Sequence, residues 1–446
     1  MIDETHDATR RSWVAGADGH ADFPLQNLPL GVFSCGADGP RGGMAIGDDI
    51  LDLAELAGAG ILDAGTAGLA RTAAAPALNA FLALGPAARG ALRRAVFNLL
   101  AVDGAGSQAA RQMSTRLLKP ARACTMHLPV SIGDYTDFYA GIHHATNAGA
   151  QFRPNEPLLG NYKHVPIAYH GRSSSIQVDG AAVRRPAGQL PVSGARAPVH
   201  AATDQLDFEA ELGVVIGTGN PMGEPIPIRA AREHVGGYCL LNDWSARDIQ
   251  AWEYRPLGPF TAKNFATTIS PWIVSPEALA PFRRQAFRRG AGDPAPLAYL
   301  DDEEDRSSGG LDCEVTIGLQ TAAMRGSGTP PVTISTTNTA YLYWTVAQMV
   351  AHHTVSGCNL RSGDLLGTGT ISGPAPDSVG SLMEMTHGGR EPIALPSGES
   401  RRFLEDGDLV ILSARCIREG FSSIGFGACR GMIASAASRR PGIPGR

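Results

Sequence analysis

Leu206-Asp207-Phe208-Glu209-Ala210-Glu211-Leu212-Gly213-Val214-Val215-Ile216 is the stretch of this 446-residue chain on which the fold turns. Acidic and apolar side chains alternate, then three aliphatic residues follow in a row, the pattern of a β-strand running into a core. Period two places Glu209 and Glu211 on one face and Phe208, Ala210 and Leu212 on the other. Two neighbouring carboxylates repel each other unless a cation or a shared proton lies between them. A solvated strand edge is the commoner fate of an isolated Glu-x-Glu, so the pair alone does not define a site.

The β texture extends far beyond this strand. From Lys119-Pro120 onward, Gly, Pro, Thr, Val and aromatic residues fall in short segments, which predicts a mostly-β domain with long loops and a boundary between 118 and 126. Upstream, Phe23 to Leu53 reads as short strands joined by tight turns. Residues 52 to 102 are rich in Ala and Leu and predict two helices broken at Gly85-Pro86. The first ten residues read as a loose arm. Residues 283 to 310 read as an exposed excursion in which the run Asp301-Asp302-Glu303-Glu304-Asp305 is solvated. The expected class is mainly β with α (α+β). A β domain with helices covers 1–120, a larger domain covers 121–434, and 435–446 form a disordered tail.

Composition removes several functions. A hydrophobic fraction of 43% and a charged fraction of 18% exclude a wholly disordered chain. A net charge of −5 gives no broad basic surface, so neither nucleic acid nor an anionic membrane is an expected partner. Met1 to Val14 is polar, without the apolar core of a signal peptide, and no apolar run is long enough to span a bilayer. The cysteines at 35, 124, 239, 313, 358, 416 and 429 are scattered with no Cys-x-x-Cys pair. That points to reduced thiols in a cytoplasmic setting and away from a thiolate zinc site. Gly-x-Ser-x-Gly elbows, phosphate loops and dinucleotide fingerprints are absent from the sequence.

Two further segments bear chemistry. Gly237 to Ser245 is an apolar strand that ends in polar residues, which puts Asp243 at a strand end. Ser245-Ala246-Arg247-Asp248 has the form of a capping box with Ser245 as N-cap, and the helix beyond it carries Arg247, Gln250 and Tyr254 on one stripe. Lys263 follows among small and apolar residues. Gly133 to Asn147 crowds aromatics, acids and the pair His143-His144 into what reads as a binding loop. Zinc through adjacent histidines is a poor fit because their side chains diverge. Scattered Asp and Glu oxygens favour a hard cation, Mg²⁺ or Ca²⁺.

Taken together, Asp134 to Tyr139, His144-Ala145-Thr146-Asn147, Tyr169-His170-Gly171-Arg172, Asp207 to Glu211, Asn242 to Gln250 and Gly369 to Pro374 resemble the fumarylacetoacetate hydrolase family. The likeness runs from Asp22 to Gly427, nearly the whole chain. It implies a small SH3-like N-terminal β domain, a larger mixed β-sandwich roll, and a homodimer. The implied reaction is hydrolysis of the carbon–carbon bond of 4-fumarylacetoacetate to fumarate and acetoacetate, at the end of tyrosine and phenylalanine breakdown. By motif position the resemblance assigns a divalent cation, Ca²⁺ or Mg²⁺, to Asp137, Glu209, Glu211 and Asp243, and a second near Asp243, Lys263 and Thr267. It assigns water activation to His144 with Glu384, oxyanion stabilisation to Arg247, Gln250 and Lys263, and substrate binding to Tyr139, Arg153, Tyr169, Gln250, Tyr254 and Thr370. Gly141 and Ala148 are smaller than the pattern leads one to expect and would loosen the His144 segment.

Overall fold

The computed structural model describes residues 2–191, 194 and 196–437, so the end of the expected tail, 438–446, lies outside the described residues. Ala210–Ile216 is the middle strand of a seven-stranded sheet. The order is Ala168–His170, Tyr135–Phe138, Leu365–Gly367, Ala210–Ile216, Val235–Asp243, Thr267–Ile269 and Ile176–Val178. Every residue of the middle strand is buried, and the pleat sends its side chains to two different cores. Ala210, Leu212, Val214 and Ile216 enter one core with Val315, Ile317 and Leu412. Val215 enters the other with Leu30, Phe81 and Phe97 of the N-terminal region.

The first core is the filling of a sandwich. Its second layer is a five-stranded sheet ordered Val332–Asn338, Glu314–Gln320, Leu409–Cys416, Ile424–Ala434 and Ala182–Arg184. The second core belongs to the N-terminal unit, where Leu30–Cys35 pairs with Arg41–Ile46, with Cys124–His127 and with Trp272–Ile273. The N-terminal sheet therefore keeps the chain as far as His127 and also recruits a short strand from far downstream. The class is α+β, as the sequence predicts.

Several expectations need correction. Four helices, Leu53–Ala57, Ala64–Ala73, Asn79–Leu82 and Gly85–Leu100, replace the two expected. Gly85, at φ 82°, supplies the left-handed residue that opens the longest one, with Pro86 in its first turn. The N-terminal arm is not loose. Thr5 and His6 are buried, and Arg93 donates to the carbonyls of Gln26 and Asn27 and to the Thr5 hydroxyl. The 283–310 excursion is only partly exposed, because Arg289 stacks 4.3 Å over Tyr343 and 4.5 Å over Trp344. Its acidic run is a short helix, Glu303–Ser308, capped by Asp302, with Asp305 buried against Thr345. The thiols are not all reduced: Cys313 and Cys416, at the ends of adjacent strands, form a disulfide with Cα atoms 4.4 Å apart. Among the described residues, no helix is long and apolar enough to cross a membrane.

Candidate active site

Three strands of the large sheet end their shared face in an acid. Asp137 follows Tyr135 at period two, Glu211 precedes Gly213 and Val215, and Asp243 follows Cys239 and Leu241. Oxygens from these three carboxylates lie within 4.8 Å of one another, all buried. Convergence depends on Gly367, whose strand lies between those of Asp137 and Glu211. A Cβ on Gly367 would sit 2.7 Å from Asp137 Oδ1 and 2.8 Å from Glu211 Oε2. Burial pushes Asp137 and Glu211 well above the ordinary carboxylate range, and repulsion from Asp243 adds to it. Asp137 Oδ1 and Glu211 Oε1 have no hydrogen-bond partner, nor does the Tyr135 hydroxyl beside them. Buried, all-oxygen and mutually repelling, with one oxygen each of Asp137 and Glu211 unpaired, this donor set fits a hard divalent cation.

Glu209 differs from the triad in its partners. Its carboxylate is held by Lys263, by Arg247 Nη1 at 2.6 Å, and stands 3.7 Å from His144 Nε2. Burial pushes this carboxyl up, but Lys263, Arg247 and His144 together hold it well below its usual range. Lys263 also donates to Asp243 at 2.6 Å, and the Asp243 and Glu209 charges keep its ammonium firmly protonated despite burial. Thr267 Oγ1 approaches Asp243 Oδ1 at 3.4 Å and Tyr169 donates to Oδ2 at 3.2 Å. Glu209 thus links the acidic triad to His144.

His144 sits in the first turn of the helix Ile142–Phe152, where the sequence reading expected an irregular loop. Gly141 is required there, because a Cβ would fall 2.4 Å from the Thr370 carbonyl, and Ala148 packs against Met383 and Phe403. Small residues tighten this segment rather than loosen it. His144 Nδ1 lies 2.7 Å from Glu384 Oε2. A carboxylate can only accept, so Nδ1 carries the proton and Nε2 is left to take one. Glu384 accepts further bonds from Asn147, Ser372 and Ser381. Burial raises its pKa, yet His144 and these donors bring it below the usual value. His143 points elsewhere, edge-on to Phe287 and Tyr341.

These groups open on one cavity of about 460 Å³. Asp137, Tyr139, His144, Arg153, Tyr169, Glu209, Glu211, Arg247, Gln250, Tyr254, Lys263 and Thr370 line it, while Asp243, Thr267 and Glu384 stand behind its wall. Residues 26–129 match the family model described as "Fumarylacetoacetase N-terminal", and residues 135–434 the one described as "Fumarylacetoacetate (FAA) hydrolase C-terminal".

The chain belongs to the fumarylacetoacetate hydrolase family.

Relatives are similar over nearly their full length. The fumarylacetoacetase of Homo sapiens is 46% identical over 425 residues, covering 93% of this chain and 97% of that one. Those of Bos taurus and Arabidopsis thaliana are each 45% identical, covering 94% of this chain and 97% and 96% of theirs. Within this family chain, the helix Arg247–Glu253 aligns Arg247 with Gln250, whose Oε1 accepts from Arg247 Nη1 at 3.1 Å. The proposed capping box is not formed. Ala246 is the N-cap, Ser245 donates to the Asp243 carbonyl, and Asp248 accepts from Thr203 and the Asp204 amide. Sequence reasoning missed Tyr162, which lines the cavity and donates to the Tyr139 carbonyl at 2.8 Å. It lies in an irregular segment where no period marks it.

Proposed function

We propose that this chain hydrolyses the carbon–carbon bond of 4-fumarylacetoacetate to give fumarate and acetoacetate, the last step of tyrosine and phenylalanine breakdown. The observation that carries the reading is that His144, backed by Glu384, lines the same cavity as Asp137 and Glu211 of the buried acidic triad. A carbon leaving group is poor unless its charge spreads into a neighbouring carbonyl, which a β-diketone provides. When bound by Asp137, Glu211 and Asp243, with Glu209 as fourth ligand, Ca²⁺ or Mg²⁺ would supply Lewis-acid stabilisation of the diketone oxygens.

The chain's own residues do the rest. His144 Nε2 takes a proton from water while Glu384 fixes the ring and holds its proton on Nδ1. The water oxygen adds to the carbonyl carbon, the adjacent carbon–carbon bond breaks, and the departing enolate carbon takes up the proton that His144 removed from water. Arg247, Gln250 and Lys263 donate toward the developing oxyanion from a site where burial strengthens them. Arg153 Nε, Arg247 Nη2 and Thr370 Oγ1 are buried without partners and face a substrate with carboxylates at both ends. Tyr139, Tyr169 and Tyr254 complete its walls.

A second cation beside Asp243, Lys263 and Thr267 and assembly as a homodimer belong to the same proposal, as does a division into 1–120, 121–434 and a tail. So does a cytoplasmic setting, in which Cys35, Cys124, Cys239, Cys358 and Cys429 stay free while Cys313 and Cys416 are joined. Neither nucleic acid nor membrane is a proposed partner. Purified protein is tested on fumarylacetoacetate and on acylpyruvates; activity on acylpyruvates alone would reject the substrate.

A further inference from the structure

Asp207 touches no part of the cavity, yet it is fully buried and receives four N–H donors. Its Oδ1 accepts from the Leu382 amide at 2.8 Å and from its neighbour Phe208 at 2.9 Å. Its Oδ2 accepts from the Met383 amide at 3.0 Å and from Arg247 Nε at 2.9 Å. Leu382 and Met383 open the one-turn helix Leu382–Met385 that carries Glu384. Arg247 turns its other edge to Glu209 and Gln250. One carboxylate therefore fixes both the backbone that holds Glu384 against His144 and the guanidinium that meets Glu209 beside His144. Asp207 is itself held by a short pairing of Leu206–Asp207 with Ser245–Ala246, the residues just before Arg247.

We infer that Asp207 is a positioning residue, setting the distance between the Glu384–His144 pair and the Arg247 donor, an inference that rests on the hydrolytic reading of the site. The chemistry explains why a carboxylate is needed. All four contacts are donors, so an acceptor is required on both oxygens at once. Asparagine, nearly the same shape, would place an NH₂ against two N–H groups whichever way it turned, leaving buried donors unpaired. Glutamate keeps both acceptors and the charge but carries them one methylene too far.

The test uses the full chain, assayed on fumarylacetoacetate alongside melting temperature. Asp207→Asn is expected to remain folded and to lose roughly a hundredfold in kcat, with KM within about threefold of wild type. Asp207→Glu is expected to fall between the two. Because Asp207 acts through Glu384, the double variant Asp207→Asn, Glu384→Gln is expected to lose less than the product of the two single losses. A folded Asp207→Asn with wild-type kcat, or losses that multiply fully, would overturn the inference. Should Asp207→Asn not fold, Asp207→Glu decides, and wild-type kcat in that variant overturns it equally. An inactive wild type instead rejects the hydrolytic reading.

Discussion

At the scale of single residues, the site is an argument about charge. Asp137, Glu209, Glu211 and Asp243 meet Lys263 and Arg247, and Arg247 is shared with Asp207. The excess negative charge is what a divalent cation would balance. Replacing Gly367 by Ala puts a methyl between Asp137 and Glu211, so calorimetric titration of Ca²⁺ or Mg²⁺ is expected to show affinity reduced tenfold or more, on the order of 1–2 kcal/mol. His144→Ala removes the group proposed to accept the water proton. Its turnover is expected to fall by roughly a hundredfold to ten-thousandfold, with the circular dichroism spectrum unchanged. The sequence made most of these residues legible because acids and a lone Lys in apolar strands have few structural excuses. It did not separate Glu209 from Glu211 in role. Period two gives both the same side, and only the pairing with Lys263 and Arg247 distinguishes them.

At the scale of elements, the strands were the easiest to read. Ala210–Ile216 and Val235–Asp243 carry the alternation and the terminal acid that define them. Helices were harder, since the Ala-rich composition of 52 to 102 gives no period that marks where one short helix stops and the next begins. His144's helix was hidden for a related reason: Gly141, Gly149 and the histidine pair depress helix propensity, and tertiary contacts with Met383 and Phe403 override it. The N-terminal arm looked loose because its anchor, Arg93, lies nearly ninety residues away in the chain. Arg93→Ala would leave several buried carbonyls without donors, and a loss of about 3 kcal/mol is expected in urea unfolding.

At the scale of the whole molecule, stability, cation and pH are linked. Burial and mutual repulsion raise Asp137 and Glu211 above their ordinary values of 3.8 and 4.5. In the cation-free chain these groups keep their protons to higher pH when folded than when unfolded. The contribution to stability is therefore fullest below the ordinary values and declines as pH rises through the raised folded ones. A bound cation requires the ionised forms and reverses that penalty. The melting-temperature gain on adding Ca²⁺ or Mg²⁺ is thus expected to be large at neutral pH and to shrink toward acid; a gain independent of pH would place the cation elsewhere.

The central assignment, a cation-dependent hydrolysis of a carbon–carbon bond in this cavity, is tested most directly by following fumarylacetoacetate with purified protein before chelation, after it, and after returning Ca²⁺ or Mg²⁺. Release of fumarate and acetoacetate, lost on chelation and restored with the cation, is the expected result. An inert protein, or turnover untouched by chelation, would contradict it.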